Sequence, residues 1–212
     1  MEILIGRVWH NRPPARAREN VYAYIARLRP ILGLGTDRHR AAPSIVHTSG
    51  GYRLDADPDT VDLHRFQQLT TRARAARTDH TTRRELLAAA LGLWRGTPLT
   101  GLDGDWAARV RTWLEEERAS ALAQLAESQV ELGNAEEAIH LLRGILVARP
   151  SDESLAAGLM RAQAAAGQHA AALRTYATAR HHIVSELGTE PSHELHRLRS
   201  DLLRHTTGPA AR

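Results

Sequence analysis

The arginines in the first quarter of the chain are the residues whose type and grouping best suit a chemical task. Residues 1–53 hold nine arginines and three acidic residues, a net charge of +6, whereas residues 54–212 carry a net charge of −2. Every basic residue is arginine and alanine is abundant, which indicates a GC-rich genome, so arginine content alone is weak evidence. Their concentration at one end is typical of a surface that binds nucleic-acid phosphates, with a solvated arginine-rich face as the alternative.

Histidine and cysteine chemistry is poorly supported. The twelve histidines include the adjacent pair His181 and His182, and His193 and His196 lie one helical turn apart. Neither pair has a third ligand or a helical metalloprotease signature, so the sequence predicts no metal site and no cofactor. Disulfides and thiolate nucleophiles are excluded because the chain has no cysteine. No GxSxG elbow and no phosphate-binding glycine loop after a strand occurs, so we expect a protein that is not an enzyme.

The chain also gives no membrane signal. No apolar run reaches the ~18 residues of a membrane span, and the first seven residues are too short and acidic for a signal peptide. We therefore expect a cytoplasmic protein with no membrane partner.

The elements that must position the arginines form a recognisable order. Residues 2–9 predict a helix, and Pro13 and Pro14 suit the entrance of a second helix over 15–29 that Pro30 should end. After a loop at 33–43, segments 44–48 and 52–54 flank Ser49-Gly50-Gly51 and predict a β-hairpin. Two helices and a hairpin are part of a winged helix, to which we assign residues 1–56.

In a winged helix the second helix lies in the DNA major groove and the hairpin lies along the phosphates. If Val21, Ile25 and Leu28 face inward, Arg18, Tyr22 and Arg29 share the exposed side of the helix. The predicted DNA contacts are Arg16, Arg18, Tyr22, Arg27, Arg29, Thr48 and Arg53. Arg18 and Tyr22 are placed to reach base edges, and the others are placed to hold phosphates. Five other aromatic residues are expected to pack rather than to stack on bases: Trp9 and Tyr24 in the core, and Trp94, Trp106 and Trp113 between helices.

Residues 57–212 are assigned to a second, all-α domain. The predicted helices cover about 61–77, 81–94, 106–132, 135–148, 152–166, 169–187 and 191–204. Gly133 and Gly167 are 34 residues apart, the period of tetratricopeptide helix pairs. After each glycine a small residue (Ala138, Ala172) and then a large one (Leu142, Tyr176) recur at matching positions. The fold class is therefore mainly α: a partial winged helix followed by a tetratricopeptide-like array.

Five segments of the second domain form a recognisable set: 61–66 (VDLHRF), 91–99 (LGLWRGTPL), 131–133 (ELG), 176–180 (YATAR) and 186–195 (ELGTEPSHEL). Together they closely resemble the bacterial transcriptional activator domain of the SARP family, the Streptomyces antibiotic regulatory proteins. Upstream, similarity to the family's OmpR-type winged helix is carried by 8–9, 12–15, 17–18, 24, 27–29 and 50–54. The resemblance covers nearly the whole chain.

This resemblance implies a pathway-specific transcriptional activator of a secondary-metabolite gene cluster, with no catalytic activity and no cofactor. It implies binding to direct repeats in double-stranded DNA near a promoter as a homodimer, and recruitment of the RNA polymerase holoenzyme. Matching positions place the recognition helix at 15–29 and the wing at 44–54. A family winged helix begins with a small sheet and a first helix before the position of Val8, so we expect an N-terminally truncated domain. The alternative is a protein-interaction module without autonomous DNA binding.

Overall fold

The protein is built from helices with one small antiparallel sheet in the parts of the chain that the computed structural model describes, residues 1–10, 12–33 and 42–206. The helices are α1 (Glu2–Trp9), α2 (Ala17–Gly33), α3 (Asp62–Ala75), α4 (His80–Leu91), α5 (Asp105–Glu131), α6 (Ala135–Ala148), α7 (Glu153–Ala165), α8 (His169–Leu187) and α9 (His193–Thr206). The strands are β1 (Ser44–Thr48) and β2 (Gly51–Asp55), and a short 3-10 turn follows at Pro58–Thr60. The predicted fold class is confirmed: two helices and a hairpin precede an all-α array.

Helix α2 differs from the prediction at its carboxyl end. It passes through Pro30 and ends at Gly33, four residues beyond the predicted end at Arg29. Proline lacks the N–H that would bond the carbonyl of Ala26. Ala26 and Pro30 are both exposed, so water can satisfy the freed carbonyl and the helix continues. Most of the predicted loop at 33–43, namely residues 34–41, lies outside the described residues.

Helix α4 begins and ends earlier than predicted. The Asp79 carboxylate accepts a hydrogen bond of 3.0 Å from the backbone N–H of Thr82 and caps the helix, which begins at His80. The helix ends at Leu91, before Gly92, and the predicted last turn through Trp94 belongs to a loop.

The described chain forms two compact units that do not follow sequence order. The first joins Met1–Gln68 to Leu93–Glu115, and the second joins Leu69–Gly92 to the residues from Glu116 onward. Within the first unit, the Arg7 guanidinium lies 5.1 Å from the centroid of the Trp106 ring. His10 also contacts the Asp103 carbonyl through Nε2. The predicted domain division at residue 56 stays a prediction.

The 34-residue repeat is visible in the backbone conformation of the second unit. Gly133 and Gly167 have positive φ values of 80° and 72°, which an L side chain rarely adopts. Each turn is closed by the same backbone bond: the N–H of Asn134 donates to the carbonyl of Gln129 (2.8 Å), and that of Gln168 to Gln163 (2.7 Å). The glycines therefore end one helix and start the next in the same way twice.

The interior of the array follows the same period. Ala138 and Ala172 are completely buried, and Leu142 and Tyr176 are buried one turn further along. A side chain of one carbon allows the neighbouring helix to approach closely, and the large side chain fills the space beyond it. Helix α7 lies between α6 and α8 and packs against both. The predicted roles of these four residues agree with their positions in the structure.

Two further findings bear on function. No helix in the described ranges is long and apolar enough to cross a membrane. Among the residues that the structure places, no three histidine and acidic side chains come together as a metal site.

Candidate nucleic-acid interface

The buried apolar residues of the predicted recognition helix lie in its amino-terminal half. Ala17 and Val21 are buried against Ile5 of α1, and Ile25 is half-buried at the edge of this cluster. Leu28 was predicted to face inward, but 44% of its surface is exposed. With a rise of about 1.5 Å per residue, the eight residues of α1 span about 12 Å and the seventeen of α2 about 25 Å. Helix α1 is therefore too short to cover the second half of α2.

The aromatic residues of this region are more exposed than predicted. Trp9 is half-buried and stacks on Tyr24, with ring centroids 6.1 Å apart and an angle of 28° between the planes. Tyr24 itself is 46% exposed, so its assignment to the core is wrong; it covers one side of Trp9 and meets solvent with the other. Trp113, a predicted packing residue, is also exposed at 38%.

Arg29 joins the recognition helix to the hairpin. Its Nε and Nη2 atoms donate to the backbone carbonyl of Ile45 in β1 at 3.1 and 3.0 Å. An arginine has five N–H donors, so three remain for an outside acceptor. The side chain is exposed. Arg29 therefore fixes the position of the hairpin relative to α2 and keeps part of its guanidinium available.

Arg18 is held by an acidic partner in the neighbouring helix. Its Nη2 atom donates to the Glu2 carboxylate of α1, and both side chains are largely exposed, at 64% and 73%. This hydrogen bond and the negative charge of Glu2 raise the pKa of Arg18 above its ordinary value, so Arg18 is always a cation. An exposed ion pair is weak in water. A phosphate or a base edge can therefore replace Glu2 as the partner.

The predicted contacts on α2 form two groups, and Arg16 precedes the helix. With 3.6 residues per turn, Arg18, Tyr22 and Arg29 lie within about 40° of each other around the helix axis. Arg27 projects from the opposite flank of the exposed surface, about 180° from Arg18. Arg16 and Arg27 are exposed and make no ion pair with an acidic side chain in the described parts of the chain.

The hairpin brings its two predicted residues to one face. The register pairs Val46 with Arg53 and Thr48 with Gly51, and alternate residues of a strand share a face. Thr48 and Arg53 therefore lie on the face opposite Tyr52, which packs against the helical cluster. The Thr48 hydroxyl donates to the Gly51 carbonyl at 3.3 Å, so Thr48 closes the hairpin tip, while Arg53 is exposed.

Sequence reasoning missed two contributors to this surface. Glu2 lies sixteen residues from Arg18 on another helix, and no spacing rule signals the pair. The carbonyl of Ile45 belongs to the backbone, so its role as acceptor for Arg29 is independent of residue type. The cation–π contact of Arg7 with Trp106 likewise joins residues that are far apart in the chain.

Comparison with known proteins shows which family this chain belongs to. Residues 61–203 match the model of the bacterial transcriptional activator domain. The chain is also 30% identical over 211 residues to the regulatory protein DnrI of Streptomyces peucetius, covering 97% of this chain and 78% of DnrI. The chain belongs to the SARP family.

Other relatives of this SARP chain are longer. The regulatory protein AfsR of Streptomyces griseus is 35% identical over 203 residues, which cover 95% of this chain and 20% of AfsR. The solved structure of Mycobacterium tuberculosis EmbR in complex with a low-affinity phosphopeptide has a TM-score of 0.87 at 29% identity, covering 98% of this chain and 55% of that chain. The SARP chain thus spans about a fifth of AfsR and about half of the EmbR chain. The relatives named here are regulators, and the fold is common to a regulator from another genus.

Proposed function

We propose that this SARP chain is a DNA-binding transcriptional activator that recruits RNA polymerase holoenzyme to promoters of a secondary-metabolite gene cluster. Helix α2 enters the major groove, and the hairpin follows the phosphates beside it. Arg18 and Tyr22 read base edges, whereas Arg16, Arg27, Arg29, Thr48 and Arg53 hold phosphates. The family relationship supports this proposal, as does the net charge of +6 in residues 1–53.

The observation that carries the proposal is the pair of bonds from Arg29 to the Ile45 carbonyl. A helix and a hairpin bind one duplex well only if their spacing is fixed before binding, because ordering them afterwards reduces affinity. The same arginine exposes its remaining donors on the side of α2 that carries Arg18 and Tyr22. The structure therefore offers two preorganised elements with cations on both.

Fluorescence anisotropy of the full chain on labelled DNA tests the proposal. One duplex is a promoter fragment from the gene neighbourhood, and the other is a random sequence of equal length. The logarithm of affinity should fall linearly with the logarithm of salt concentration, with a slope of about −0.9 for each neutralised phosphate. Binding that is weak and equal on both duplexes contradicts autonomous specific binding and supports the alternative, a protein-interaction module.

Three variants separate the proposed roles. Arg27→Ala should weaken binding to both duplexes equally and reduce the salt slope by about 0.9, because a phosphate contact carries no sequence information. Arg18→Ala should weaken binding to the promoter duplex more than binding to the random duplex. Arg143→Ala removes an exposed arginine of α6, outside the proposed interface, and should leave both affinities unchanged. Equal losses for Arg18→Ala on both duplexes would make Arg18 a phosphate contact.

The helical array has the partner role in this proposal. Stacked helix pairs typically present extended surfaces to other proteins, and we assign contact with RNA polymerase to this part of the chain. In vitro transcription from the same promoter fragment, with purified holoenzyme and increasing amounts of the protein, measures activation directly. Unchanged transcript levels at saturating DNA occupancy would contradict recruitment.

We also propose that two copies bind direct repeats side by side. Moving one repeat by about 5 base pairs turns it to the other side of the duplex, because a helical turn is about 10.5 base pairs. Cooperative binding should then disappear and return with a shift of about 10 base pairs. Equal cooperativity at both spacings would contradict side-by-side dimerisation.

A further inference from the structure

A second candidate site lies within the first unit, apart from the proposed DNA contacts. It is a cavity of about 310 Å³ between the first turns of α3, the loop after α4 and one residue of α5. Phe66 and Leu114 are buried at its base, and the half-buried Trp94 lies edge-on to Phe66 with ring centroids 5.7 Å apart. The cavity therefore has an apolar, partly aromatic base.

The residues around this cavity are those that carry the family resemblance. Nine of the eleven lining residues belong to segments 61–66 and 91–99. If these segments served packing alone, they would fill the space between them, since protein interiors contain few voids larger than a water molecule. Here they leave a concave space of ligand size, at the lower end of the 300–1,000 Å³ found for small-molecule pockets.

The loop that forms one wall is rigidly held. Arg111 of α5 donates to three of its backbone carbonyls, those of Pro98, Leu99 and Leu102, at 3.0–3.2 Å. Leu99 has a positive φ of 54°, an unfavourable conformation for a residue with a side chain. Strained backbone persists only where surrounding contacts enforce it, and such positions cluster at ligand sites. The wall is thus formed before any ligand arrives.

The mouth of the cavity is polar. The Asp62 carboxylate and the Arg95 guanidinium lie 3.9 Å apart, and their side chains are 62% and 84% exposed. A loose, exposed ion pair costs little to open, so either group can turn to a polar substituent of a bound molecule. An aromatic base and a polar mouth together select an amphipathic guest.

We propose that this cavity binds a small planar aromatic molecule of about two fused rings with one hydrogen-bonding substituent. The ring system lies against Trp94 and Phe66, where offset or edge-on ring contacts are favourable. The substituent faces Asp62 and Arg95. The site shares no residue with the proposed DNA contacts and gives the regulator a place for a small-molecule signal.

Indole is the probe, since it has two fused rings and one N–H donor. Two-dimensional NMR of the full chain should show saturable shifts of the Gly96, Thr97 and Thr100 amides, with a Kd on the order of 1 mM for so small a ligand. Leu63→Trp places a large side chain in the cavity and should weaken binding at least tenfold. Trp94→Leu removes one aromatic wall and should also weaken it. The matched control Leu187→Trp adds a tryptophan at an exposed site in α8 and should bind as the unchanged chain does.

Circular dichroism of each variant confirms that it is folded before titration. No shift of the three amides up to 10 mM indole would overturn the proposal, as would equal binding by the unchanged chain and Leu63→Trp. Tighter binding of N-acetyl-tryptophanamide than of indole would also overturn it, because the cavity would then suit a side chain of a partner protein. The indole titration does not require DNA binding, so its result tests the cavity separately from the proposed DNA contacts.

Discussion

Replacing Arg29 by lysine separates the charge of this residue from its role in holding the hairpin. Each of the two guanidinium bonds to the Ile45 carbonyl is worth about 1 kcal/mol net at an exposed site. A lysine keeps the positive charge but has no planar fork, so it restores at most one bond. We expect Arg29→Lys to lose about 1 kcal/mol of preorganisation, which corresponds to about fivefold in affinity for the promoter duplex.

The assay is the anisotropy titration across a salt series. Arg29→Lys should weaken the promoter complex about fivefold with an unchanged salt slope, since the charge is kept. Arg29→Ala should lose both bonds, worth about 2 kcal/mol or about 30-fold in affinity, and the affinity of one phosphate contact in addition, so its salt slope should also fall by about 0.9. Arg16→Lys is the matched control. Arg16 is exposed and makes no ion pair with a described acidic residue. Because lysine keeps the positive charge, the Arg16→Lys variant should bind the promoter duplex about as tightly as the unchanged chain does.

An Arg29→Lys variant that binds the promoter duplex as tightly as the unchanged chain would refute the reasoning. The bonds to Ile45 would then make no contribution to binding. A fivefold loss accompanied by a lower salt slope would also contradict it, because the effect would come from charge.

Four further changes test other features. Glu2→Gln removes the acidic partner of Arg18 and should raise affinity for random DNA in the anisotropy assay; lower affinity would show that Glu2 supports Arg18 and does not compete with DNA. Arg111→Ala leaves three carbonyls of the loop without their half-buried donor. It should lower the free energy of unfolding measured in urea by about 2–3 kcal/mol, and a decrease below 1 kcal/mol would argue against a rigid loop. Ala172→Leu overfills a completely buried position and should destabilise the chain by about 1–3 kcal/mol in the same experiment, whereas an unchanged midpoint would contradict the tight packing of the array. Hydrogen bonds from the Thr82 side chain and then from its backbone N–H lower the pKa of Asp79 below its ordinary 3.8. Their stabilisation is present above that pH and is lost as pH falls through the folded-state value. The stability gap between the unchanged chain and Asp79→Ala, followed by thermal melts, should therefore close in acid, and a gap independent of pH would contradict the charged cap.

The array was predictable because its signals are local. Gly133 and Gly167 punctuate helices at a fixed interval, and the small and large residues after them recur at the same offsets. The predicted bounds of 135–148 and 169–187 are those of α6 and α8. A position that requires a positive φ favours glycine, and a position that requires a small side chain favours alanine. Both requirements are therefore visible in the residue type itself.

The candidate interface was only partly predictable. The hairpin and α1 have local patterns, but the exposure of Leu28 depends on the length of α1 relative to α2, which no pattern within α2 records. The prediction that Pro30 ends α2 was wrong because Ala26 and Pro30 are exposed, so water can satisfy the carbonyl that Pro30 leaves without a partner. The attachments of Arg18 and Arg29 join distant elements through one ion pair and one backbone carbonyl, so they are visible only in three dimensions. Whether these residues contact DNA stays a prediction.

The repeated turn at Gly133 and Gly167 also has a consequence for how the chain acquires its fold. Helices α6 and α7, and then α7 and α8, pack against their immediate sequence neighbours, so their contacts close short stretches of chain. Short closures lose little chain entropy, and proteins rich in such contacts fold rapidly. During synthesis, the pair ended by Gly167 can form as soon as it leaves the ribosome and then serve as the template for α8. We expect this part of the molecule to assemble in the order of translation, one pair of helices at a time.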